Sequence, residues 1–466
     1  MFQFTPSQIE ELKQQGSHVL LKSDVLLDAE TPISLYYKLC EDKPYSFLFE
    51  SAEQDARMGR YSFIGFDPIE ILEGTSQNPL DAIRKAMSRY DVVGLDEDRF
   101  EGGFVGYFSY EAIRHFEKIP VPDKESTSRI PESVFFLPRV LIVFDHIKHV
   151  VRFHYLMDLE EENLDMANDV LNQVLEVLNA KTAVPVLEMN GESYDETALS
   201  VFPTEQDYKE QVRVAKEKIE AGDIFQVVLS QSMEMETEKS AFELYRRLRH
   251  ANPSPYMYFV QCEGFTVVGA SPETMVRLER GDVLVRPIAG TRPRGKDEVE
   301  DVKLERDLLV DPKEIAEHRM LVDLGRNDVG QVSIPGSVRV PHQMFVQRFS
   351  SVMHMVSDVV GKVREDQDMF DVFQACFPAG TLSGAPKIRA CEIIAELEGR
   401  QRGIYGGAVG YFGFSQSMDF AIAIRTMIHR EGRVYLQAGA GVVYDSVPLN
   451  EYQECFHKAK SCLAIL

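Results

Sequence analysis

With 466 residues, 44% of them hydrophobic and 27% charged, the chain is long enough for two domains or one elaborated domain and has the make-up of a globular protein. Its 74 acidic against 50 basic residues argue against nucleic acid or an anionic membrane as partner; an anionic substrate stays open, because a bound metal can reverse the local sign. No apolar run reaches the length of a membrane span, and the opening Met1-Phe-Gln-Phe-Thr-Pro-Ser7 lacks the basic and apolar parts of a secretion signal, so no membrane partner is expected and the expected compartment is cytoplasmic.

The six cysteines, Cys40, Cys262, Cys376, Cys391, Cys455 and Cys462, form no Cys-x-x-Cys and no zinc-like spacing, which fits a reducing compartment. Cys376 lies near a glycine-rich turn, but with no nucleophile signature around it a buried, inert thiol is expected.

Residues 1–180 read as mixed strands and helices. Phe47–Ser51 and Arg60–Gly65 have strand character, and Gly102–Tyr110 is a strand studded with glycine. Val140–Phe144 and Val150–Tyr155 flank a short turn and predict a hairpin, and Glu160–Leu178 an amphipathic helix. Periodicity fades over 181–203, where Pro185, Asn190-Gly191 and Pro203 mark a linker. Thr204 then caps a helix with Tyr208, Val212, Ala215 and Ile219 on one face, and a strand follows over Ile224–Gln231. The fold class expected is α+β, large antiparallel sheets with helices outside. Gly102-Gly-Phe-Val-Gly-Tyr-Phe108 recurs as Gly406-Gly-Ala-Val-Gly-Tyr-Phe412; duplication and convergent packing account for the echo equally well.

In the second half, several segments carry chemistry. Glu273 follows a strand end and a proline, where an acid can be held in position. Asp311-Pro312-Lys-Glu314 starts a helix with an N-cap, a proline at the first helical position and a capping-box carboxylate. Glu317, Met320, Leu321 and Leu324 share one stripe of that helix, which aims a carboxylate at the core. Glu451 and Glu454, with Lys458 a turn further on, form a second Glu-x-x-Glu at the head of the last helix. Four such carboxylates suit a hard cation such as Mg²⁺, although carboxylates are also favoured in any first helical turn.

His354 sits on a strand face with Val352 and Val356, as a core histidine or a functional one. The run Phe377–Lys387, carrying Thr381 and Lys387, is a small-residue loop that lets backbone amides approach an anion, or a plain turn. Over Asp419–Ile428, read as one strand, Arg425 shares a face with Ala421 and Ala423; that cleared face suits capture of a carboxylate, against an arginine reaching solvent at a sheet end.

These strings together carry a family resemblance. Glu317–Asp328, Pro378–Lys387 and Ala438–Gly441, within matching segments from Phe47 to the C-terminus, resemble the chorismate-utilising enzymes, most closely the branch that makes anthranilate for tryptophan biosynthesis. The resemblance implies a complex α/β sandwich with an N-terminal regulatory region (1–180), a linker (181–203) and a catalytic region (204–466). It implies Mg²⁺ held by Glu317 and Glu454, with Glu314 and Glu451 reaching it through water. Tyr405, Arg425, Lys458, Gly439 and Gly441 would receive chorismate, beside Gln226 and the Ala289-Gly290-Thr291 segment. Glu273 would protonate the departing C4 hydroxyl as ammonia adds at C2, His354 would serve the loss of pyruvate, and Thr381 would position the intermediate.

Gln226 and Ala289 stand where relatives with other products have lysines, which closes water activation and lysine attack on C2. Phe49-Glu50-Ser51 and Asn252–Met257 resemble a tryptophan site, implying feedback inhibition through Glu50, Ser51, Pro255, Tyr256 and Met257. Ammonia would come from a separate glutamine amidotransferase subunit. Aminodeoxychorismate synthesis is the alternative activity, and a tryptophan-sensing subunit without turnover a further one. Val447–Glu451 departs from relatives, which often have an acidic residue shortly before this motif.

Overall fold

A computed structural model describes residues 1–466 except 3, 53–58, 75–76, 97–99, 181, 189–193, 195 and 350–351. Two antiparallel ladders share the long strands Tyr61–Gly74 and Ser133–Asp145, which pair with each other nearly end to end. One ladder runs outward from Ser133–Asp145 through Val150–Asp158 to His18–Val25, and from Tyr61–Gly74 through Ser46–Glu50 to Tyr256–Cys262. It continues through Phe265–Ser271, Thr426–Arg430 and Arg433–Val442 to Gln226–Glu236. The other leaves Ser133–Asp145 through Gly103–Phe108, Ala408–Gly413, Met418–Ile422, Thr274–Glu279 and Asp282–Val285 to Val352–Lys362. Helices cover these sheets, in the α+β arrangement expected, and the buried apolar residues gather into three main clusters between the layers.

Strands from before and after the expected linker are thus neighbours in both ladders. Glu50 pairs with Met257 in one and Phe108 with Ala408 in the other. Residues 182–188 have no regular structure, and Ser200–Phe202 adds to the edge of Gln226–Glu236; Asn190 and Gly191 lie outside the described residues.

The hairpin and the Thr204-capped helix (Glu205–Glu220) form where the sequence puts them, and the amphipathic helix forms as Leu164–Asn179, starting four residues later than expected because Asn163 caps it. The echoing glycine strands lie side by side and antiparallel, with Gly106 opposite Gly410. A Cβ on Gly106 would stand 1.8 Å from the Val134 carbonyl oxygen, and one on Gly410 2.1 Å from that of Asp419, so close backbone approach requires both glycines.

Two local expectations are corrected. Asp311 caps the helix Pro312–Val332 by accepting from the Lys313 and Glu314 amides, but Glu314 does not close a capping box; its carboxylate accepts from Arg292 Nη1 at 3.2 Å. The face of that helix that sinks deepest carries His318, Leu321, Val322, Gly325 and Val329, which leaves Glu317, Met320 and Leu324 half-buried on its flank.

Asp419–Ile428 is not one strand. Met418–Ile422 belongs to one ladder and Thr426–Arg430 to the other, with a break at 423–425 where Arg425 adopts φ +50°. Arg425 therefore leaves the strand face shared with the alanines and stands at the crossing from one ladder to the other.

Candidate active site

The crossing point organises the site. The Arg425 guanidinium lies mostly within the fold, and no hydrogen bond or ion pair of its side chain is found among the described residues. Burial lowers its pKa, with only the fields of Cys462 and Glu273 working the other way. A sequestered cation without a carboxylate partner is a receptor for an anion. The left-handed backbone at a non-glycine residue adds to the reading, since such strain persists where function holds it.

Glu273 faces the same space. Its backbone amide donates to Ser271 Oγ, its carbonyl accepts from the Ile422 amide, and its side chain is 6% exposed. Burial raises its pKa to about 7, against the steadying effect of the Thr381 hydroxyl, the Ile288 backbone, Lys458 and Arg425. The Thr381 oxygen is buried beside it, in a geometry that closes no full hydrogen bond. A carboxyl that keeps its proton in about half of the molecules at neutral pH is equipped to donate it.

His354 approaches from Val352–Lys362; Ser351, next to that strand, lies outside the described residues. Its Nδ1 lies 3.3 Å from the Gly290 carbonyl and 3.0 Å from Thr291 Oγ1. Only a protonated Nδ1 can bond a carbonyl, so Nε2 carries the free lone pair. Burial and the Arg425 cation push its pKa down to about 4, which keeps the ring neutral.

Tyr405, Gly439 and Lys458 close another side. Lys458 Nζ donates to the Gly439 carbonyl at 3.0 Å, and a Cβ on Gly439 would stand 2.5 Å from the Tyr405 hydroxyl. Gly441 gives Gln226 its place in the same way, with the amide nitrogen 2.7 Å from where a Cβ would be. Gln226 Nε2 in turn reaches Glu317 Oε1 at 3.5 Å.

The four carboxylates are brought near one another without closing on a point. Burial raises the Glu317 pKa first, then the like charges of Glu314 and Glu454 add to it, and burial likewise raises that of Glu451. Glu454 is held by Lys458 at 2.9 Å and Glu314 by Arg292. Among the described residues no three carboxylate, imidazole or thiol groups are close enough to hold an ion. In donor chemistry the set nevertheless fits a hard divalent cation: all oxygen and half-buried, with neighbouring carboxylates adding to the raised pKa of Glu317 and of Glu451.

Lys387 at the end of the small-residue loop bonds Asp328 at 2.8 Å, with 11% and 6% of the two side chains exposed. All six cysteines are buried and free, and burial raises the Cys376 pKa, in keeping with an inert thiol.

The residues expected to bind tryptophan line one open cleft, together with Phe63, Arg277, Tyr411 and Asp419. Glu50, Ser51, Pro255, Tyr256 and Met257 all contribute to it. Both oxygens of Glu50 are engaged, by Arg249 and by the Tyr245 hydroxyl at 2.7 Å. Tyr256 donates to Asp419 Oδ1 at 2.7 Å and lies 2.9 Å from Thr274 Oγ1, next in sequence to Glu273.

Sequence reasoning missed Arg402 and Glu398, the buried ion pair behind Tyr405 and Thr381; their i,i+4 spacing across a helix end was the signal available.

The chorismate-binding enzyme family matches residues 44–464, and the chain belongs to that family. Its curated relatives include anthranilate synthase component 1 of Acetivibrio thermocellus, 42% identical with 99% of this chain and 98% of the relative covered. That of Pseudomonas putida is 43% identical over 96% and 94%. The solved anthranilate synthase component I of Streptococcus pneumoniae superimposes with TM-score 0.80 at 36% identity, covering 94% of this chain and 98% of that one. The isochorismate synthase MenF of Escherichia coli, at 18% identity and TM-score 0.77, shares the fold.

Proposed function

We propose that the chain is the chorismate-aminating component of an anthranilate synthase, an enzyme that replaces the C4 hydroxyl of chorismate by adding ammonia at C2 and then releases pyruvate to leave anthranilate. The observation that carries the reading is a partly buried arginine without a carboxylate partner, facing a carboxyl whose pKa burial raises to about 7. Full-length relatives named anthranilate synthase component 1 support it.

Arg425 and Lys458 receive the substrate's carboxylates, with Tyr405 and the backbone at Gly439 and Gly441 shaping the pocket. Hydroxide is a poor leaving group, so Glu273 gives its proton to the C4 oxygen, which departs as water while ammonia forms the bond at C2. The neutral His354, with Nε2 unprotonated, takes a ring proton as pyruvate is lost and the ring becomes aromatic. Thr381 steadies Glu273 and positions the intermediate. Gln226 cannot serve as the base that would activate water, and Ala289 offers no amine to attack C2. Glu317 and Glu454 would hold Mg²⁺, with Glu314 and Glu451 reaching it through water, and the chemistry it would supply is positive charge to offset charge developing on the substrate.

The region before residue 181 takes the regulatory role, with tryptophan as the inhibitor in the cleft that carries Glu50, and a glutamine amidotransferase subunit supplies ammonia. No helix among the described residues is long and apolar enough to cross a membrane, and a cytoplasmic location goes with the pathway. Incubation with chorismate, Mg²⁺ and ammonium tests the reading. Anthranilate and pyruvate in equal amounts are expected; an amino product that keeps its enolpyruvyl group would identify aminodeoxychorismate synthesis instead, and the absence of turnover a sensing subunit.

A further inference from the structure

Behind the pocket lies a charged pair to which no role has been assigned. Arg402 follows the helix Lys387–Glu398 and is fully enclosed, with 1% of its side chain exposed against 6% for Glu398. Its Nε donates to Glu398 Oε2 at 2.8 Å and its Nη2 to Oε1 at 2.7 Å, a two-pronged grip that neutralises the cation. The remaining donors reach outward, Nη1 to the Leu382 carbonyl at 2.8 Å and Nη2 to the Val228 carbonyl at 2.6 Å. The guanidinium carbon lies 4.6 Å from the centre of the Tyr110 ring and 5.5 Å from that of Tyr405, over both rings.

All of these partners but Tyr110 lead to a candidate substrate group. Leu382 follows Thr381 in the Gly380–Leu382 turn, Tyr405 is itself one of the receivers, and Val228 lies two residues beyond Gln226. Glu398 extends the network to Gly439, because its Oε1 accepts from the amide and hydroxyl of Ser230, the residue paired with Gly439 between neighbouring strands. The loop that bears Arg402 is fixed from the N-terminal half: Glu111, 5% exposed, accepts from the Arg402 amide at 2.6 Å and the Gly403 amide at 3.0 Å.

A buried ion pair is a poor way to gain stability, since desolvation consumes much of its attraction and apolar packing would serve as well. What a guanidinium provides that an apolar side chain does not is several acceptors fixed in one plane with a ring laid on that plane. We infer that Arg402 is a positioning residue for the chorismate pocket, its guanidinium setting the Thr381 turn, the Tyr405 ring and the strand after Gln226 in register with one another. The inference rests on the substrate pocket proposed above.

Arg402→Lys keeps a cation for Glu398 but cannot hold two carbonyls and a ring face at once. In purified protein with unchanged circular dichroism, its KM for chorismate is expected to rise about tenfold, the worth of one charge-assisted hydrogen bond. Glu398→Gln, which keeps the shape and one acceptor oxygen while removing the counter-charge, is expected to shift KM in the same direction by less, and supplies the measurement if the lysine variant does not fold. A purely structural pair would lower kcat through loss of active protein and leave KM where it was. Wild-type KM in a folded variant of either residue overturns the inference. Tyr405→Phe and Thr381→Ala serve as controls: if they leave KM unchanged, the pocket assignment fails first and Arg402 loses its role with it.

Discussion

Replacing Glu273 by glutamine tests the acid assignment through two independent quantities. Burial moves this carboxyl from 4.5 to about 7 in the folded chain. At about 1.4 kcal/mol per pH unit, that is roughly 3 kcal/mol of preference for the protonated form in the fold. The sign follows from the direction of the shift. Below pH 4.5 folded and unfolded chains both carry the proton and the contribution is complete; as pH rises through about 7 the fold must bury a charge, and the contribution is lost. Glu273→Gln carries no such charge, so its stability relative to the wild type should rise by roughly 3 kcal/mol between pH 4.5 and pH 8. Taking the difference between the two proteins cancels other titrating groups, among them Glu111, whose pKa burial also raises to about 7. Urea unfolding of both proteins across that range measures it. The same substitution should lower kcat/KM by about 10²–10⁴-fold and remove the alkaline limb near pH 7 that the wild type is expected to show. Parallel stability curves for the two proteins, or an alkaline limb that survives in the variant, would refute the reasoning.

Arg425→Lys retains charge but loses the planar fork; KM for chorismate should rise about 10-fold or more in steady-state assays, and an unchanged KM would remove Arg425 from substrate capture. Glu317→Gln should raise the Mg²⁺ concentration for half-maximal rate by about 10-fold or more, read from a metal titration of protein freed of divalent ions. Glu50→Gln should raise the tryptophan concentration for half inhibition by about tenfold, and an identical inhibition curve would place the inhibitor elsewhere. Gly106→Ala, which sets a Cβ against the Val134 carbonyl, should cost about 1–3 kcal/mol in denaturant unfolding.

The elements legible in the sequence were those with a local cause. Thr204 and Asp311 announced their helices through capping chemistry, and the Val140–Tyr155 hairpin through two apolar runs around a short turn. The same local reasoning joined Asp419–Ile428 into one strand, because residue alternation is unbroken across 423–425 while the chain passes from one ladder to the other. Glu314 looked like half of a capping box because spacing cannot show that Arg292, from another strand, claims its carboxylate. The candidate site was legible only as motif strings, which pointed to residues that the structure brings near one another, His354 and Arg425 among them. The long-range pairs behind it were not: Lys387 with Asp328, and Arg402 with Glu111, join segments 59 and 291 residues apart that no spacing rule connects.

The pairing of Phe108 with Ala408 bears on how the chain is made. Its first member leaves the ribosome 300 residues ahead of the second, with Gly103–Phe108 open along one edge until Ala408–Gly413 arrives. An early edge of this kind favours pairing with another nascent chain. A late folding step, set by the closure of so distant a contact, is the consequence for the cell that produces it.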